Sequence, residues 1–386
     1  MPAIPGDLAH CDNSLTGSKA DPALSQPRLG FVSSRAMNVT DSGVWTEPGT
    51  GRMLDLLRRA FPNTTIALSD HGPNPLFFNT YRTSFSECDV IRLPKMVSLP
   101  KGLLRRRKCA EVLRMVEERS DILMVQLPFD SPFALIRQRR PTLYHICADL
   151  RSVARSSRFR GPMRIAAGVA ASLIDRLYTR LLNSDQARVF ANGEELYKKY
   201  GTPKGRWFVS AVISNKEIAS VKRNRPQNAP FRVLYVGYLR KWKGIDILLE
   251  AFRTLLKRVP LAELHIIGQP DPGEQATATE LQAQAQDLID RSLVRFLDHV
   301  PFGPALFQCF ADADVLALPS RGVEGTPRVL VEARAFGCPV IATDVGGVRS
   351  SVTDRVDGLI IPPGDLEALE TALLELATIK HASQSH

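Results

Sequence analysis

The second half of the chain alternates short apolar runs with amphipathic segments, and this order restricts its fold more than any other feature of the sequence. Three of the runs, Arg232–Gly237, Leu264–Gly268 and Val340–Thr343, have the length of buried strands. Between the first two, residues 245–258 repeat their apolar side chains at helical spacing. The same pattern predicts strands over 294–297 and 315–318 and helices over 274–290, 304–310 and from 327 onward. Strands that alternate with helices form a parallel sheet covered on both faces, and such sheets bind ligands at the carboxyl ends of their strands.

The first half repeats this pattern less clearly. Strands are predicted over residues 29–33, 65–68, 121–125, 142–146 and 189–191, and helices over 52–60 and 162–182. Residues 222–230 are polar and contain two prolines, which is the composition of a linker. We therefore predict two α/β domains, over 28–221 and 231–386, that face each other across a cleft. Residues 1–27 are rich in Pro, Ser, Gly and Asp and are predicted to be a disordered tail.

The segment Pro319–Val340 carries the strongest local signal. Thr326 suits the N-cap of a helix, Pro327 suits its first position and Gly337 suits its end. Glu332 then lies on the apolar face of that helix. A carboxylate on such a face needs hydrogen-bond donors, which either ribose hydroxyls or a neighbouring arginine would supply.

The loop before this helix suits a phosphate ligand. Glu324 lies in the loop, and Gly325 lets a ligand approach the backbone closely. The start of a helix presents unpaired N–H groups and a partial positive charge, which together favour a diphosphate.

These residues belong to a longer pattern. Glu324 and Glu332 are spaced as E-x7-E within Pro-Ser-x-x-x-Glu-Gly-Thr-Pro, and Gly-x-Pro-Val-Ile-Ala-Thr-Asp-Val-Gly-Gly follows. Residues 236–251 and 357–364 add two further blocks. Over residues 231 to about 372 the chain resembles family 4 of the retaining glycosyltransferases, whereas the first half matches only loosely, as at 191–196. The resemblance implies the GT-B fold, in which two Rossmann-like α/β domains with parallel sheets face each other across a cleft.

The resemblance also implies roles for individual residues. Glu332 would bind the ribose of a nucleotide-sugar donor, and Glu324 would lie beside the transferred sugar. Lys243 would bind the diphosphate and offset charge on the leaving phosphate. The backbone near the sugar and diphosphate would be that of Gly237, Gly325, Thr326, Pro327 and Arg328.

The chain departs from the family pattern at two places. The family usually has an arginine after the glycine that corresponds to Gly237, and here Tyr238 stands there. Arg240 would reach the same phosphates, or else it lies in a solvated loop with Lys241. The family also tends to continue past the helix predicted over 365–377 with a helix that crosses back to the first domain, and we expect that helix to be absent or very short here.

On the acceptor side, the first domain offers four candidates. The family often has a His or Asp after a strand that faces the sugar, and His145 and Asp149 are the two residues that match. His145 lies within a predicted strand and would otherwise be a core histidine, whereas Asp149 follows the strand end. Gly49 and Gly51 would border the acceptor cleft, or would be turn glycines before the first helix.

The implied reaction moves a hexosyl group, with retention of configuration, to a saccharide or lipid-linked acceptor in the synthesis of a cell-surface polysaccharide or glycolipid. A phosphate oxygen of the donor takes the acceptor proton, so we expect no metal ion and no cofactor. The alternative is a catalytically silent protein that binds a nucleotide sugar as a sensor or partner subunit. A phosphorylase or epimerase fits less well, because no lysine site for pyridoxal phosphate is evident.

Basic residues are concentrated in the first domain. Residues 81–225 hold 29 Lys and Arg against 13 Asp and Glu, with clusters at 105–108, 137–140 and 151–160. These clusters predict an anionic membrane surface as a partner, or a solvated basic face without one. They lack the interleaved aromatics and motifs of a nucleic-acid site. The sequence shows no run of 18 apolar residues, no leader pattern and no paired cysteine spacing, which predicts a cytoplasmic protein peripheral to the inner face of the cell membrane.

Overall fold

The computed structural model describes residues 26–72, 79–95, 104–137, 139–149, 162–226, 228–270, 275–322 and 324–384. Two β-sheets organise these residues, one on each side of the predicted linker. The predicted disordered tail lies almost wholly outside the described residues, as does the basic cluster at 151–160. Within the described ranges, no helix combines the length and the apolar content needed to cross a bilayer.

The first sheet is built on a long central strand. Its strands are β1 (Leu29–Thr40), β2 (Gly43–Thr46), β3 (Thr64–Asp70), β4 (Tyr81–Arg82), β5 (Val90–Leu93), β6 (Ile122–Leu127), β7 (Thr142–Ile146), β8 (Ala187–Asn192) and β9 (Arg206–Phe208). Seven of them run parallel in the order β5-β3-β1-β6-β7-β8-β9. The prediction of β1 over 29–33 was too short, because the strand continues through a register shift and pairs with β2 in an antiparallel hairpin that β4 extends.

In the described part of the first unit, five helices accompany this sheet: α1 (Pro48–Ala60), α2 (Arg106–Glu118), α3 (Pro162–Leu182), α4 (Glu194–Tyr200) and α5 (Asn215–Ser220). The sequence analysis did not predict α2, which begins in the basic cluster at 105–108. Only Cys109, Leu113 and Val116 of this helix are buried, and their spacing is that of one helix face. A short 3₁₀ segment, Pro132–Arg137, packs against both α2 and α3.

The second sheet is wholly parallel and follows the sequence pattern closely. Its strands are β10 (Arg232–Val236), β11 (Glu263–Ile267), β12 (Val294–Leu297), β13 (Val315–Leu318), β14 (Val340–Thr343) and β15 (Leu359–Ile361), in the order β12-β11-β10-β13-β14-β15. Five of these six strands lie where the apolar runs predicted them. Strands buried on both faces read as continuous apolar runs, so their limits are visible in the sequence.

Six helices of the described ranges cover the second sheet: α6 (Ile245–Leu256), α7 (Gln275–Gln284), α8 (Gln286–Asp290), α9 (Pro304–Asp312), α10 (Arg328–Ala335) and α11 (Leu366–Gln384). The single helix predicted over 274–290 is wrong. Ala285 interrupts it with φ −102° and ψ 6°, and Ala285 is itself buried together with Leu281 and Leu288.

A buried carboxylate fastens the linker to the second unit. Asp314 accepts hydrogen bonds from Arg223 at 2.5 Å, from the backbone N–H of Arg232 at 2.7 Å and from Lys380 of α11 at 2.8 Å. Arg225 lies 3.4 Å from the same carboxylate. Burial lowers the pKa of Lys380, and the adjacent Asp314 carboxylate opposes that shift. One acidic side chain therefore compensates three partly or wholly buried cations.

We expect the Asp314→Asn substitution to lower the free energy of unfolding by about 3 kcal/mol, because it leaves buried cations without their counter-charge. Chemical denaturation of the two proteins measures this difference. Asp185→Asn is the matched control: its side chain is fully exposed and lies 3.7 Å from Lys204, so a change within about 0.5 kcal/mol is expected. Equal and small effects of the two substitutions would contradict the assignment.

Candidate functional site

The loops that follow β10 and β13 meet at a buried ion pair. Lys243 ends a 3₁₀ turn after β10, and Glu324 lies between β13 and α10. The Lys243 ammonium donates to Glu324 Oε1 at 2.5 Å, and the hydroxyl of Ser320 donates to the same oxygen at 2.5 Å. Both charged side chains are about nine-tenths buried. The structure thus brings together two residues that are 81 positions apart and that the sequence analysis assigned to one site.

A glycine makes this meeting of loops possible. Gly244 has φ +71°, and a Cβ atom there would lie 2.0 Å from the carbonyl oxygen of Pro319. A residue with a side chain would be strained by the backbone angle and would also push the two loops apart. The exchange Gly244→Ala is therefore incompatible with the observed Lys243–Glu324 distance.

The segment after β14 supports the loop from the other side. The N–H of Gly347 donates to the carbonyl oxygen of Gly325 at 3.0 Å. Gly346 has φ +52°, and a Cβ atom there would lie 1.8 Å from the carbonyl oxygen of Glu324. The glycine pair quoted in the sequence pattern therefore fixes the backbone that carries Glu324.

Glu332 is a buried carboxylate whose acceptor capacity is unused. It lies on α10, and among the described residues no side chain or backbone group donates a hydrogen bond to it. Burial raises its pKa, and the Arg328 guanidinium opposes this shift without an ion pair within 4 Å. Of the two donors that the sequence left open, the arginine does not make the contact.

The start of α10 differs from the prediction by one residue. The helix begins at Arg328, and Pro327 occupies the cap position with an extended backbone. The predicted N-cap role of Thr326 is wrong, because its hydroxyl donates instead to the carbonyl oxygen of Asn192 at 2.6 Å. Among the described residues, no side chain caps α10. The N–H groups of its first turn therefore have no side-chain acceptor there.

This hydrogen bond joins the two units at the same loop. Asn192 ends β8, and Gly193 follows with φ +98°. A Cβ atom at Gly193 would lie 2.3 Å from the Thr326 hydroxyl. The next backbone N–H, of Glu194, donates to the hydroxyl of Ser350 at 2.8 Å. Residues 191–196, which match the family pattern only loosely, therefore form a contact between the units. That loose match was the signal in the sequence that could have marked this contact.

Gly49 and Gly51 lie in the first turn of α1, so they are not turn glycines before a helix. A Cβ atom at Gly49 would lie 1.8 Å from the guanidinium of Arg328, which places this glycine against the second unit. Gly51 instead packs on Tyr81 within the first unit. Only Gly49 is observed at the contact between the units.

His145 is buried in β7. Its ring lies 3.5 Å from Gln126 Nε2, 3.6 Å from the sulfur of Cys147 and 5.3 Å, between centroids, from the ring of Phe208. Burial and, to a smaller extent, the nearby Arg35 lower the pKa of His145 to about 4. The imidazole is therefore neutral at pH 7 and brings no positive charge to the site.

Asp149 is engaged within the first unit. It is bonded to the ammonium of Lys199, and the hydroxyl of Tyr200 donates to it at 2.9 Å. Asp175 joins the same cluster through Tyr200. These contacts tie β7 to α3 and α4, and a role for Asp149 toward a sugar stays a prediction.

Glu47 is a residue that the sequence analysis missed. It directly precedes α1, 3.7 Å from Arg35. Burial raises its pKa, but the charges of Arg35 and Arg328 and a hydrogen bond from Thr50 outweigh this and lower it overall. Arg328 thus interacts electrostatically with both Glu47 and Glu332, one in each unit. No motif marks Glu47, because its partner on the second unit is distant in sequence.

Arg240 is not in a solvated loop. Its guanidinium lies over the ring of Tyr238 at 4.8 Å and over that of Trp242 at 5.7 Å, and the Lys243 ammonium lies 4.6 Å from the Trp242 ring. Lys241, by contrast, is exposed and pairs with Glu280 at 3.0 Å. The stack places a second cation beside Lys243. Gly237 directly follows β10, and its carbonyl oxygen packs against Gly268.

Over the described part of the chain, no group of three or more His, Cys, Asp and Glu side chains has the arrangement of a metal site. The loops after β10 and β13 instead bring Lys243 into contact with Glu324, with Arg240 stacked on the Trp242 ring.

Comparison with known proteins finds similarity to one family in the region that contains this site. Residues 230–378 match the family model of the glycosyl transferases group 1. The D-inositol 3-phosphate glycosyltransferase of Corynebacterium kroppenstedtii is 34% identical over 147 residues, which are 37% of this chain and 32% of that protein. The amylovoran biosynthesis glycosyltransferase AmsK of Erwinia amylovora is 29% identical over 211 residues, half of each chain. This chain thus spans a third to a half of the length of these curated relatives.

Solved structures resemble nearly the whole chain in fold. Sucrose-phosphate synthase from Thermosynechococcus elongatus has a TM-score of 0.66 at 16% identity and covers 92% of this chain and 91% of its own. HepE from Anabaena, in complex with UDP, has a TM-score of 0.61 at 21% identity with 92% of both chains covered. The chain has the GT-B fold, as predicted. Within its second unit, the family model of the glycosyl transferases group 1 matches as far as residue 378.

We expect Glu332→Gln to gain stability over the wild type as the pH rises. The folded-state pKa of Glu332 is raised, so the folded protein holds this proton more tightly than the unfolded chain. The carboxyl therefore destabilises the fold increasingly as the pH rises through the ordinary glutamate range, and glutamine cannot. Chemical denaturation at about pH 4 and about pH 7.5 measures the difference.

The exposed Glu280→Gln substitution is the control, since it removes a surface carboxylate and should give no comparable gain. If Glu332→Gln were less stable than the wild type by the same amount at both pH values, Glu332 would have a stabilising partner that this account denies.

Proposed function

We propose that this chain is a glycosyltransferase that moves a sugar from a nucleoside diphosphate donor to an acceptor held against the first unit. The observation that carries the proposal is the buried Glu332 carboxylate, which accepts no hydrogen bond among the described residues. It lies on the helix that follows the carboxyl end of β13, eight residues after Glu324, which is itself paired with Lys243. The group 1 family match of this region supports the same conclusion.

The donor ribose is the natural partner of Glu332. A pair of vicinal hydroxyls can donate two hydrogen bonds to one carboxylate, which compensates the cost of its burial. An acidic residue that binds ribose hydroxyls is a recurrent solution in nucleotide-binding α/β folds. HepE, which shares the fold, is observed with UDP and with UDP-glucose.

We assign the diphosphate to the cations beside the Glu324 carboxylate. Lys243 stands between the Glu324 carboxylate and the Trp242 ring, and Arg240 is stacked next to it. A bound diphosphate would compensate part of the Lys243 charge that Glu324 now compensates alone. The uncapped start of α10 adds N–H donors and the positive end of the helix dipole. Two cations and a helix start can offset the charge of the leaving nucleoside diphosphate, so the proposal requires no metal ion and no cofactor.

The transferred sugar would lie at Glu324 and Gly325, where the two units approach each other. A side chain at Gly325 would come within 3.9 Å of the carbonyl oxygen of Cys147 in the first unit. Glu324 would then accept hydrogen bonds from sugar hydroxyls. In the first unit, we place two groups toward the sugar and the acceptor: Gly49, which lies against Arg328, and the neutral His145. We place Asp149 behind them.

The reaction proposed for this geometry retains the configuration at the anomeric carbon. The bond from that carbon to the phosphate oxygen breaks while the bond to the acceptor oxygen forms on the same face. The acceptor proton passes to a phosphate oxygen of the departing nucleoside diphosphate, so no base from the protein is consumed. Lys243 and Arg240 would stabilise the negative charge that develops on that leaving group.

We propose a saccharide or a lipid-linked saccharide as the acceptor, in the synthesis of a cell-surface polysaccharide or glycolipid. The relative from Erwinia amylovora, named for amylovoran biosynthesis, supports this class of product. A lipid-linked acceptor would bring the protein to the cytoplasmic face of a membrane, where the basic first unit meets anionic headgroups.

One observation favours a second function, a silent protein that binds a nucleotide sugar as a sensor or partner subunit. The position after Gly237, where the family usually has arginine, carries the exposed Tyr238. Tyrosine has no positive charge for a leaving diphosphate. Binding without turnover would follow if Arg240 did not compensate.

We expect one nucleoside diphosphate among UDP, GDP, ADP and TDP to stabilise the wild type. A ligand at a hundred times its dissociation constant adds about 2.7 kcal/mol, which thermal denaturation detects readily. Lys243→Ala and Glu332→Ala should abolish the shift, because one removes the diphosphate cation and the other the ribose acceptor. Lys241→Ala is the matched control: it removes an exposed lysine two positions away and should keep the full shift.

The absence of a shift with every nucleotide, or its survival in both site variants, would exclude this donor site.

We expect turnover of the matching nucleotide sugar, and NMR of the product should show the anomeric configuration of the donor. Arg240→Ala should lower kcat more than it weakens nucleotide binding if its cation acts on the leaving group. Lys241→Ala serves again as the control.

Binding of the nucleotide without hydrolysis or transfer would favour the silent protein, and a product of inverted configuration would refute the retaining route.

A further inference from the structure

Helix α3 exposes an apolar face to solvent. Its buried face consists of residues that pack on the first sheet: Ala171, Ile174, Asp175, Tyr178 and Leu182. On the opposite face, Ile165, Val169 and Leu173 are 74%, 57% and 55% exposed. The exposed face of a helix on a globular protein is normally polar. Three aliphatic side chains at spacings of four residues are therefore an unexplained feature of this unit.

Two arginines continue the same face. At about 100° per residue, Ile165, Val169 and Leu173 fall within an arc of about 80°. Arg176 and Arg180, both exposed, lie inside that arc in the last two turns. The face is thus apolar over its first half and cationic over its second.

The neighbouring 3₁₀ segment adds to this surface. Residues 132–137 pack against α3, and the hydroxyl of Tyr178 bonds the backbone of Phe129 just before them. Phe133 and Ile136 of the segment are 42% and 53% exposed. The exposed Arg139 and Arg140 follow directly. We call these residues, together with the exposed face of α3, the α3 surface.

A third element brings more positive charge. The segment packs on α2 as well, and residues 104–108 at the start of α2 are all exposed. They comprise one leucine and four basic residues. Glu117, on the same helix, already accepts a hydrogen bond from the backbone of Arg139 at 2.8 Å.

We propose that the α3 surface docks on an anionic lipid bilayer. The aliphatic side chains would enter the boundary between headgroups and acyl chains, and the arginines would meet lipid phosphates. The docking surface rests on the proposed function in one respect, because a lipid-linked acceptor would bring a bilayer next to the protein. The exposure and charge of the face are observed independently of that function.

Charge decides between a bilayer and a second copy of the chain. Two copies joined symmetrically through this face would set Arg176 and Arg180 of one copy either against the same arginines or against the aliphatic residues of the other copy, and both arrangements leave the buried cations without counter-charge. An anionic bilayer instead complements the arginines and receives the aliphatic side chains at once. An acidic protein would match the arginines but not the row of three protruding aliphatic residues.

The test is co-sedimentation of the full chain with vesicles of phosphatidylcholine alone and of phosphatidylcholine mixed with phosphatidylglycerol. We expect binding to the mixed vesicles only, weakened by salt. Ile165→Ser combined with Val169→Ser and Leu173→Ser should weaken binding by about tenfold or more, since it removes the inserted side chains. Arg176→Glu combined with Arg180→Glu should do so as well.

Leu56→Ser and Ile379→Ser are the matched controls, because these side chains are 54% and 57% exposed on other helices. Both should bind vesicles like the wild type. Thermal denaturation with and without UDP checks every variant for folding and nucleotide binding. An unaltered nucleotide response together with lost vesicle binding separates this surface from the donor site.

Failure of the wild type to bind the mixed vesicles at low salt would overturn the proposal, whatever the nucleotide response. So would equal binding by the α3 variants and the controls. A concentration-dependent dimer that the triple serine variant dissociates would assign the face to a second copy instead.

Discussion

The ion pair between Lys243 and Glu324 is the contact on which the rest of the site depends. A buried ammonium and carboxylate gain little net stability, because removing both charges from water costs about as much as their attraction returns. Such a pair is better explained by what it positions. It holds the loop after β10 against the loop after β13, at the edge where a parallel sheet binds ligands.

The ion pair in turn determines where the other groups lie. Because Glu324 is fixed by Lys243, Ser320 and the Gly346–Gly347 backbone, the start of α10 is fixed a few residues later. That start places Glu332 on the buried side of the helix. A site that leaves one buried carboxylate unsatisfied sacrifices stability, and proteins retain such a group where a ligand supplies the missing donors.

The same loop is the point at which the two units touch. Thr326 donates to the backbone of Asn192, and Ser350 accepts from the backbone N–H of Glu194. Arg328 lies against Gly49, and its charge lowers the pKa of Glu47. The loop that would hold the sugar and phosphates is therefore also the contact that sets the separation of the units. A ligand that moved Glu324 or Thr326 would change the width of the cleft.

The sequence predicted the second sheet well for a physical reason. Parallel strands buried on both faces must be apolar throughout, and the turns at their ends need glycine, so both are visible locally. Glu324 and Glu332 were visible as candidates because their pattern lies within one loop and one helix. The resemblance of a separate block added Lys243, which the structure places against Glu324.

The parts that the sequence did not predict depend on distant partners. Thr326 looks like a helix cap, but it bonds Asn192, which is 134 positions away. β1 contains buried polar residues such as Ser33 and Asn38, which break the apolar run that marks a strand. α2 buries only three side chains along a basic segment. The surroundings of Glu47 and the exposure of one face of α3 depend on neighbouring elements, so neither is visible in the local sequence.

The most direct measurement is a crystal structure of this chain with UDP, or with the nucleotide that stabilises it best. The account predicts that both ribose hydroxyls bond the Glu332 carboxylate and that the Lys243 ammonium lies within hydrogen-bond distance of a phosphate oxygen. A nucleotide bound elsewhere, or one whose ribose leaves Glu332 without a partner, would contradict the assignment of this edge of the sheet as the donor site.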